Sequence, residues 1–374
     1  MNRQIINKIK KKGIKWLLWR FGREFRHPTI PILKKTIDAL LKVKVRIKSI
    51  SIQKEKKYLY AVYDLDINAI TFNFVQFLID AEYETSKIGK EGFVVVFVPS
   101  SGNKMLIYED YDKVVDRENR KWRFTNILIP LISLSKKCSG YYFLPNRLDV
   151  IKFIEGKEVF PSLYDGVNLR SWDHIDFFRK LSRPGLFEGM QASKQALRHI
   201  DAWKRENKII QPIVTITLRD QLFDPVRNSN NESWGKFSRY LINLGYYPVI
   251  VPDTDTSFVL DSFLEGINCF NECAWNIELR MALYESSFLN FTVPTGPSHL
   301  LIYSTSCKYI MMNMGIPNSI VNTSSALEES NLQYGEGFKF ATDGQRLVYK
   351  PDSFQNIVEE FGIYCKTYYN KNMN

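Results

Sequence analysis

Two arginines stand close together in one polar stretch: Arg219-Asp220, then Phe223-Asp224-Pro225-Val226-Arg227-Asn228-Ser229-Asn230. A guanidinium is a planar fork suited to two-point contact with phosphate. Arg219, Arg227 and Asn228 are therefore candidates for holding a diphosphate, and a surface loop braced by Arg–Asp pairs would have the same composition. Thr295-Gly296-Pro297-Ser298-His299 follows an apolar run. Glycine lets a backbone come close, and a helix opening at Ser or Thr leaves N–H groups for an anion. Thr295, Gly296, Pro297 and Ser298 form the expected second half of that phosphate site; a capped turn is the simpler use of the same residues. Asp253 suits a ribose hydroxyl. In Asp253-Thr254-Asp255 the two carboxylates could hold a divalent metal through phosphate oxygens, and capping the next helix is the commoner role. Asp64-Leu65-Asp66 ends an early apolar run, where a carboxylate can act as general base toward an acceptor hydroxyl or serve as a cap. Ser100-Ser101-Gly102-Asn103-Lys104 reads as a turn, and Arg123 and Asn126 are further candidates.

Several other chemistries are excluded. There is no G-x-G-x-x-G and no P-loop signature, so NAD dehydrogenases and P-loop NTPases do not fit. His174 and His199 have no G-x-S-x-G nucleophile to serve. Cys269 and Cys273 have no second Cys or His pair nearby for zinc. The five cysteines are odd in number and scattered, which implies no disulfide framework. Neither a metal nor a cofactor is expected.

The elements that must position these residues alternate. YLYAVYD (58–64), FVVVFVP (93–99) and GYYFLP (140–145) read as strands, with helical spacing over 71–89 and 122–137. Continuous β-branched and aromatic runs are typical of parallel strands covered on both faces. Residues 155–172 carry Gly156, Pro161 and Gly166 and read as irregular, near a domain boundary. A helical pattern spans 189–206. Strands then fall at 212–220, 246–253, 288–294 and 308–314, separated by helices at 232–245, 274–287 and 298–306, with a terminal helix over 351–368 that could cross back to the first domain. The fold class is α/β: two Rossmann-like doubly wound domains facing a cleft. Ligands of such sheets bind beyond the carboxyl ends of the strands, where the residues above lie. The expected domains are a basic helical arm (1–50), an acceptor-side domain (51–185), a donor domain (186–350) and the terminal helix (351–374).

Charge sets the arm apart. Residues 1–50 carry 15 Lys and Arg against two acids, Glu24 and Asp38; that local +13 exceeds the +11 of the whole chain, so the other 324 residues hold −2. A nucleic-acid enzyme spreads its basic residues along a cleft, and no nucleic-acid partner is expected. Residues 3–26 interleave Ile5, Ile6, Ile9, Trp16, Leu17, Trp19 and Phe21 with Lys and Arg, the composition of a helix lying on an anionic membrane. A packed helix with a solvated basic face is the alternative. The arm lacks the apolar core of a signal peptide, and no apolar run approaches the 18 residues of a membrane span. A second basic amphipathic stretch, 33–48, follows.

The C-terminal half resembles a GT-B-fold glycosyltransferase of the bacterial surface-polysaccharide type with a fucosyltransferase-like donor domain. The resemblance rests on ITLRD (216–220), ESWGKFSRYLINLGYYPVIVPD and FTVPTGPSHLLIYSTSCKYIMMN, about 140 residues in all. It implies a nucleotide-sugar donor in the second domain, a glycan or lipid-linked acceptor at the first, and a cytoplasmic protein peripheral to the inner face of the membrane. Retaining members often carry two Glu separated by seven residues; Glu278 and Glu285 are separated by six, which points to inversion without a metal. A nucleotide-sugar epimerase of the same architecture and a non-catalytic nucleotide- or sugar-binding protein remain alternatives.

Overall fold

The computed structural model describes residues 14, 16, 18, 21–24, 26, 28–51, 57–101, 115–169, 172, 174–259, 261–319, 322–329 and 332–369. Two compact units emerge: 1–69, 81–108 and 137–172 in one, 70–80, 109–136 and 173–374 in the other. The second unit thus recruits two short segments from the N-terminal half.

The first unit is built on β1 (Tyr58–Asp64), β2 (Gly92–Val98), β3 (Cys138–Phe143) and β4 (Val159–Phe160), parallel throughout in the order β3-β2-β1-β4. Every residue of β2 is buried, as its unbroken apolar run requires. Tyr60, Val62, Val94, Val96, Val98, Leu144 and Val150 pack together on one face. β4 lies in the stretch that reads as irregular; two residues are too few to show a period. β3 is an edge strand, and Tyr141, Tyr142 and Phe143 are about half exposed.

Helix Pro31–Ser51 belongs to the same unit. It buries Ile37 and Leu41 and leaves Ile32, Leu40 and Val43 exposed beside Lys34, Lys35 and Lys42. Lys44 pairs with Asp165 at 2.6 Å. In the basic arm, residues 1–13, 15, 17, 19, 20, 25 and 27, and likewise Gly102, Asn103 and Lys104, lie outside the described residues; Ile14, Leu18 and Phe21 are exposed. Among the described residues no helix is long and apolar enough to cross a membrane.

The second unit is built on β5 (Ile213–Thr217), β6 (Tyr247–Val251), β7 (Leu289–Thr292), β8 (Tyr309–Met311) and β9 (Gln345–Leu347), all parallel in the order β6-β5-β7-β8-β9. Alternation along β5 decides what each face meets. Val214 and Ile216 point to a core with Trp234, Phe237 and Leu241 from helix Asn231–Asn243 and Ile357 and Phe361 from helix Phe354–Tyr364. The terminal helix, which could also have crossed back, packs its Ile357 and Phe361 into the core of the second unit. On the opposite face Thr215 and Thr217 meet Ser287 and Tyr284 by hydrogen bonds of 2.6 and 2.7 Å.

Helix Asn231–Asn243 shows how local sequence fixes an end. Asn230 caps it by accepting from Ser233 N–H at 3.1 Å. At the other end Gly245 takes φ +83°, and the Gly245 and Tyr246 amides donate to Ile242 and Leu241, a Schellman stop. Asp352 locks the helix start to the sheet by accepting from Trp234 Nε1 (2.8 Å), the Asn230 amide (2.9 Å) and Asn313 Nδ2 (2.9 Å).

Candidate active site

The order β6-β5-β7 reverses direction between β5 and β7, and a crevice forms at such a reversal, beyond the carboxyl ends. The segment after β5 carries Arg219 and Arg227; the segment after β7 carries the Thr295–Ser298 turn. The two meet there: Arg227 Nη1 donates to the Pro294 carbonyl at 3.3 Å. Asp253, after β6, accepts from the Asp220 amide at 3.2 Å and from Gln221 Nε2. All three groups of residues expected to bind nucleotide are thus gathered at one end of one sheet.

Their individual roles differ from the simplest expectation. Arg227 is paired with Asp224 at 2.8 Å and braces its own loop. Arg219 is 4% exposed and has no carboxylate within ion-pair distance among the described residues. Its Nη atoms donate to Asn228 Oδ1 and the Phe223 carbonyl. Burial, and then the neighbouring Arg227 charge, push its pKa down to about 10, so the site would gain from an arriving anion. Asn228 joins the loop ends, accepting from Arg219 and the Gln221 amide.

In the turn, the amides of Ser298 and His299 donate to the carbonyls of Thr295 and Gly296, and Ser298 Oγ donates to Thr295 O at 2.6 Å. The N–H groups expected to be free for an anion are already used at those positions. Helix Ser298–Ile302 has five residues, too short for much of a dipole. The glycine is explained by packing: a Cβ on Gly296 would lie 2.7 Å from the Phe72 ring. His299 Nδ1 donates to Gly296 O (3.0 Å), and burial pushes its pKa down to about 4. Asp253 and Asp255 share the Gln221 side-chain amide. Among the described residues no three His, Cys, Asp or Glu converge as metal ligands. The thiols of Cys269 and Cys273 are pushed up by burial to about 11 and about 12.

Beside the turn lies a small recess of about 20 Å³ lined by Phe72, Trp122, Thr254, Trp275, Arg280 and Pro297. Trp122 and Trp275 meet edge to face at 5.4 Å. Trp275 Nε1 donates to Ser257 Oγ at 2.8 Å, and Thr254 Oγ1 donates to Ala274 O. Asn126, one of the further candidates, lines the recess too; Arg123 instead donates to Asn119. Trp122, Trp275 and Arg280 escape a reading of the sequence. Arg280 lies inside the helix Ile277–Ser286, and only its place next to the apolar run M-A-L-Y hints that it faces inward. Glu278 accepts from Ser133 Oγ and Ser193 Oγ, and Glu285 from the Ala192 amide and Ser306 Oγ; both tie segments together.

In the first unit, Asp64 is fully buried and Asp66 nearly so. Arg147 forks onto Asp64 and reaches Asp66 at 3.0 Å; Tyr164 Oη donates to Asp64 at 2.7 Å. Asp66 accepts from Ser100 Oγ (2.7 Å), the Ser101 amide (2.8 Å) and Ser101 Oγ (2.7 Å).

No family model and no curated protein match the chain. Solved structures do. The chain shares its fold with E. coli ADP-heptose lps heptosyltransferase II. That match has a TM-score of 0.50 at 10% identity and covers 82% of this chain and 98% of the other. The glycosyl transferase family 9 protein of Veillonella parvula DSM 2008 also aligns, at TM-score 0.48 and 9% identity, over 84% of this chain and 91% of that one. At such identity the likeness concerns the fold: two parallel α/β sheets of the kind expected for GT-B proteins.

Proposed function

We propose that the chain is a glycosyltransferase that moves a sugar from a nucleotide-sugar to a glycan or lipid-linked acceptor in surface polysaccharide synthesis, by inversion and without a metal. The observation that carries this reading is the convergence of Arg219, Arg227 and Asp253 with the 294–298 turn at the strand-order reversal of the second sheet. The fold of a heptosyltransferase supports it. Arg219 is the group that receives the diphosphate, with Arg227 and Asn228 holding it in place and Thr295, Gly296, Pro297 and Ser298 forming the wall of the site; Asp253 faces the ribose. Charge developing on the departing diphosphate is stabilised by donors fixed in advance, which is where preorganised groups contribute most. Asp66 is the better of the two carboxylates for the base. Its partners include two serine hydroxyls, donors of the type an acceptor hydroxyl would replace, whereas Asp64 is locked between Arg147 and Tyr164. Both Glu278 and Glu285 are occupied in bracing, which agrees with a mechanism without a donor-domain carboxylate.

Residues 1–26 are proposed to rest on an anionic membrane surface. The exposed Ile32, Leu40 and Val43 among lysines continue that character into helix Pro31–Ser51. Incubation with individual nucleotide-sugars, reading released nucleoside diphosphate with and without EDTA, tests the transferase reading: slow donor hydrolysis that survives EDTA is expected, and interconversion of free nucleotide-sugars would contradict it. Co-sedimentation with anionic vesicles tests the arm, and binding that weakens but persists at high salt is expected.

A further inference from the structure

We infer that the first unit itself docks on an anionic bilayer, through an apolar and basic surface that runs from helix Pro31–Ser51 to the loops beside Asp66. The inference rests on the transferase reading only in taking Asp66 to mark the acceptor side. It goes beyond the arm of residues 1–26 in extending the membrane contact to the loops of the sheet.

The first observation is a stripe on the helix. Ile32, Thr36, Leu40 and Val43 follow one another at spacings of four, four and three, so they share one side. Its three apolar residues are exposed, Leu40 by 67% and Val43 by 58%, while Ile37 and Leu41 of the same helix are buried. Lys34, Lys35 and Lys42 are exposed as well, and Asp38 is the single acid of the helix. Apolar residues exposed singly are ordinary, but a contiguous patch rimmed by charge marks an interaction surface.

The second observation is that the stripe continues into the loops at the carboxyl end of the first sheet. Lys44, four residues on from Leu40, pairs with Asp165 at 2.6 Å. Asp165 also accepts from the Val167 amide at 3.0 Å and the Asn168 amide at 2.6 Å, and so shapes the turn that exposes Val167. A Cβ on Gly166 would lie 2.9 Å from Ile151 Cγ1, which seats Ile151 against the same turn. Leu148, three residues before Ile151, is 83% exposed, and Ile151 and Val167 are about half exposed. This series of neighbours ends at the acid cluster. Arg147, next to Leu148, reaches Asp66 at 3.0 Å, and Tyr164, next to Asp165, donates to Asp64 at 2.7 Å.

Apolar side chains interleaved with lysines suit a bilayer better than a protein. A protein partner must place its acids opposite the lysines. An anionic bilayer takes the apolar side chains at its acyl boundary, and its headgroups meet lysines anywhere along the surface. A bilayer seated there brings an acceptor anchored in it to the margin of Asp66.

The test is co-sedimentation of the full chain with vesicles of phosphatidylcholine and phosphatidylglycerol in equal parts. It is run at low salt and at about 1 M salt, where the Debye length falls to ~3 Å. The arm is intact in every variant, and circular dichroism checks each fold. Leu148→Ser, Ile151→Ser and Val167→Ser combined should weaken binding about tenfold or more at high salt, because the apolar contact is what screening leaves. Leu148→Ser alone should show part of that loss. Lys35→Glu with Lys42→Glu should weaken binding mainly at low salt. Ile210→Ser, Ile242→Ser and Leu244→Ser combined, at three exposed positions of the second unit, should bind as the wild type does. Unchanged binding by the Leu148–Ile151–Val167 variant, an equal loss in the second-unit variant, or no binding by the wild type overturns the inference. So does a lipid-free dimer in sedimentation velocity that only the Leu148–Ile151–Val167 variant loses, since the face would then join two copies of the chain. None of these readouts needs a nucleotide-sugar. Absence of donor hydrolysis would therefore count against the transferase reading and leave the vesicle result standing.

Discussion

Buried charge is handled in opposite ways in the two units. In the first, Asp64, Asp66, Arg147, Tyr164, Ser100 and Ser101 form a closed set: each carboxylate oxygen has a donor, and the guanidinium has its acids. In the second, Arg219 and Arg280 are equally buried and meet carbonyls, an amide oxygen and a hydroxyl, but no carboxylate at ion-pair distance among the described residues. A closed set stabilises a loop and gains little from a ligand. An open one is a standing cost of folding that an anion can offset. The contrast supports the donor site proposed in the second unit, while the charged cluster of the first frames the loops around Asp66, the proposed base.

The largest expected effect breaks the closed set. Arg147→Ala would leave Asp64 buried without its cation, at a cost of about 3–5 kcal/mol, measured as a lower midpoint in urea unfolding. A loss below about 1 kcal/mol would show that the cluster is not closed as described. The same substitution in the open set should behave differently. Arg219→Ala is expected to lower turnover about 10²-fold or more, as for loss of a preorganised donor to a developing anion, while leaving the unfolding midpoint nearly unchanged. Wild-type turnover in this variant would remove Arg219 from the site.

A smaller effect concerns the turn. Burial holds His299 neutral, with a pKa of about 4 against an unfolded value near 6.5. The unfolded chain therefore binds a proton that the folded chain refuses, and stability falls as pH drops from about 6.5 toward 4. The limit is about 1.4 kcal/mol per pH unit. His299→Gln should flatten that part of the pH–stability curve relative to wild type. Parallel curves for the two proteins would mean that His299 binds its proton equally in the folded and unfolded chains, so that burial does not hold it neutral.

The sequence made the sheets legible and left much of the site hidden. FVVVF and YLYAV are runs whose composition admits little but a covered parallel strand, and both were found within a residue of expectation. β9 (Gln345–Leu347) has three residues and one strong apolar side chain, so nothing local marks it; its place is set by pairing with β8. The arginines after β5 could be found because strand ends are where ligands bind. Arg280 could not, since its role depends on which face of the helix Ile277–Ser286 turns inward, and that helix is buried nearly all round. The Gly296 turn reads as a phosphate cradle because glycine signals close approach; the group that meets Gly296 itself is the Phe72 ring, remote in sequence and so invisible to local reading.

The most direct measurement is calorimetric titration of the full chain with ADP, UDP, GDP and CDP, on the wild type and on Arg219→Ala. At least one nucleoside diphosphate should bind the wild type without added metal and bind Arg219→Ala tenfold or more weakly, about 1.4 kcal/mol or more. Binding that is indifferent to Arg219, or no binding by any of the four, would contradict the assignment of the second unit as the donor site.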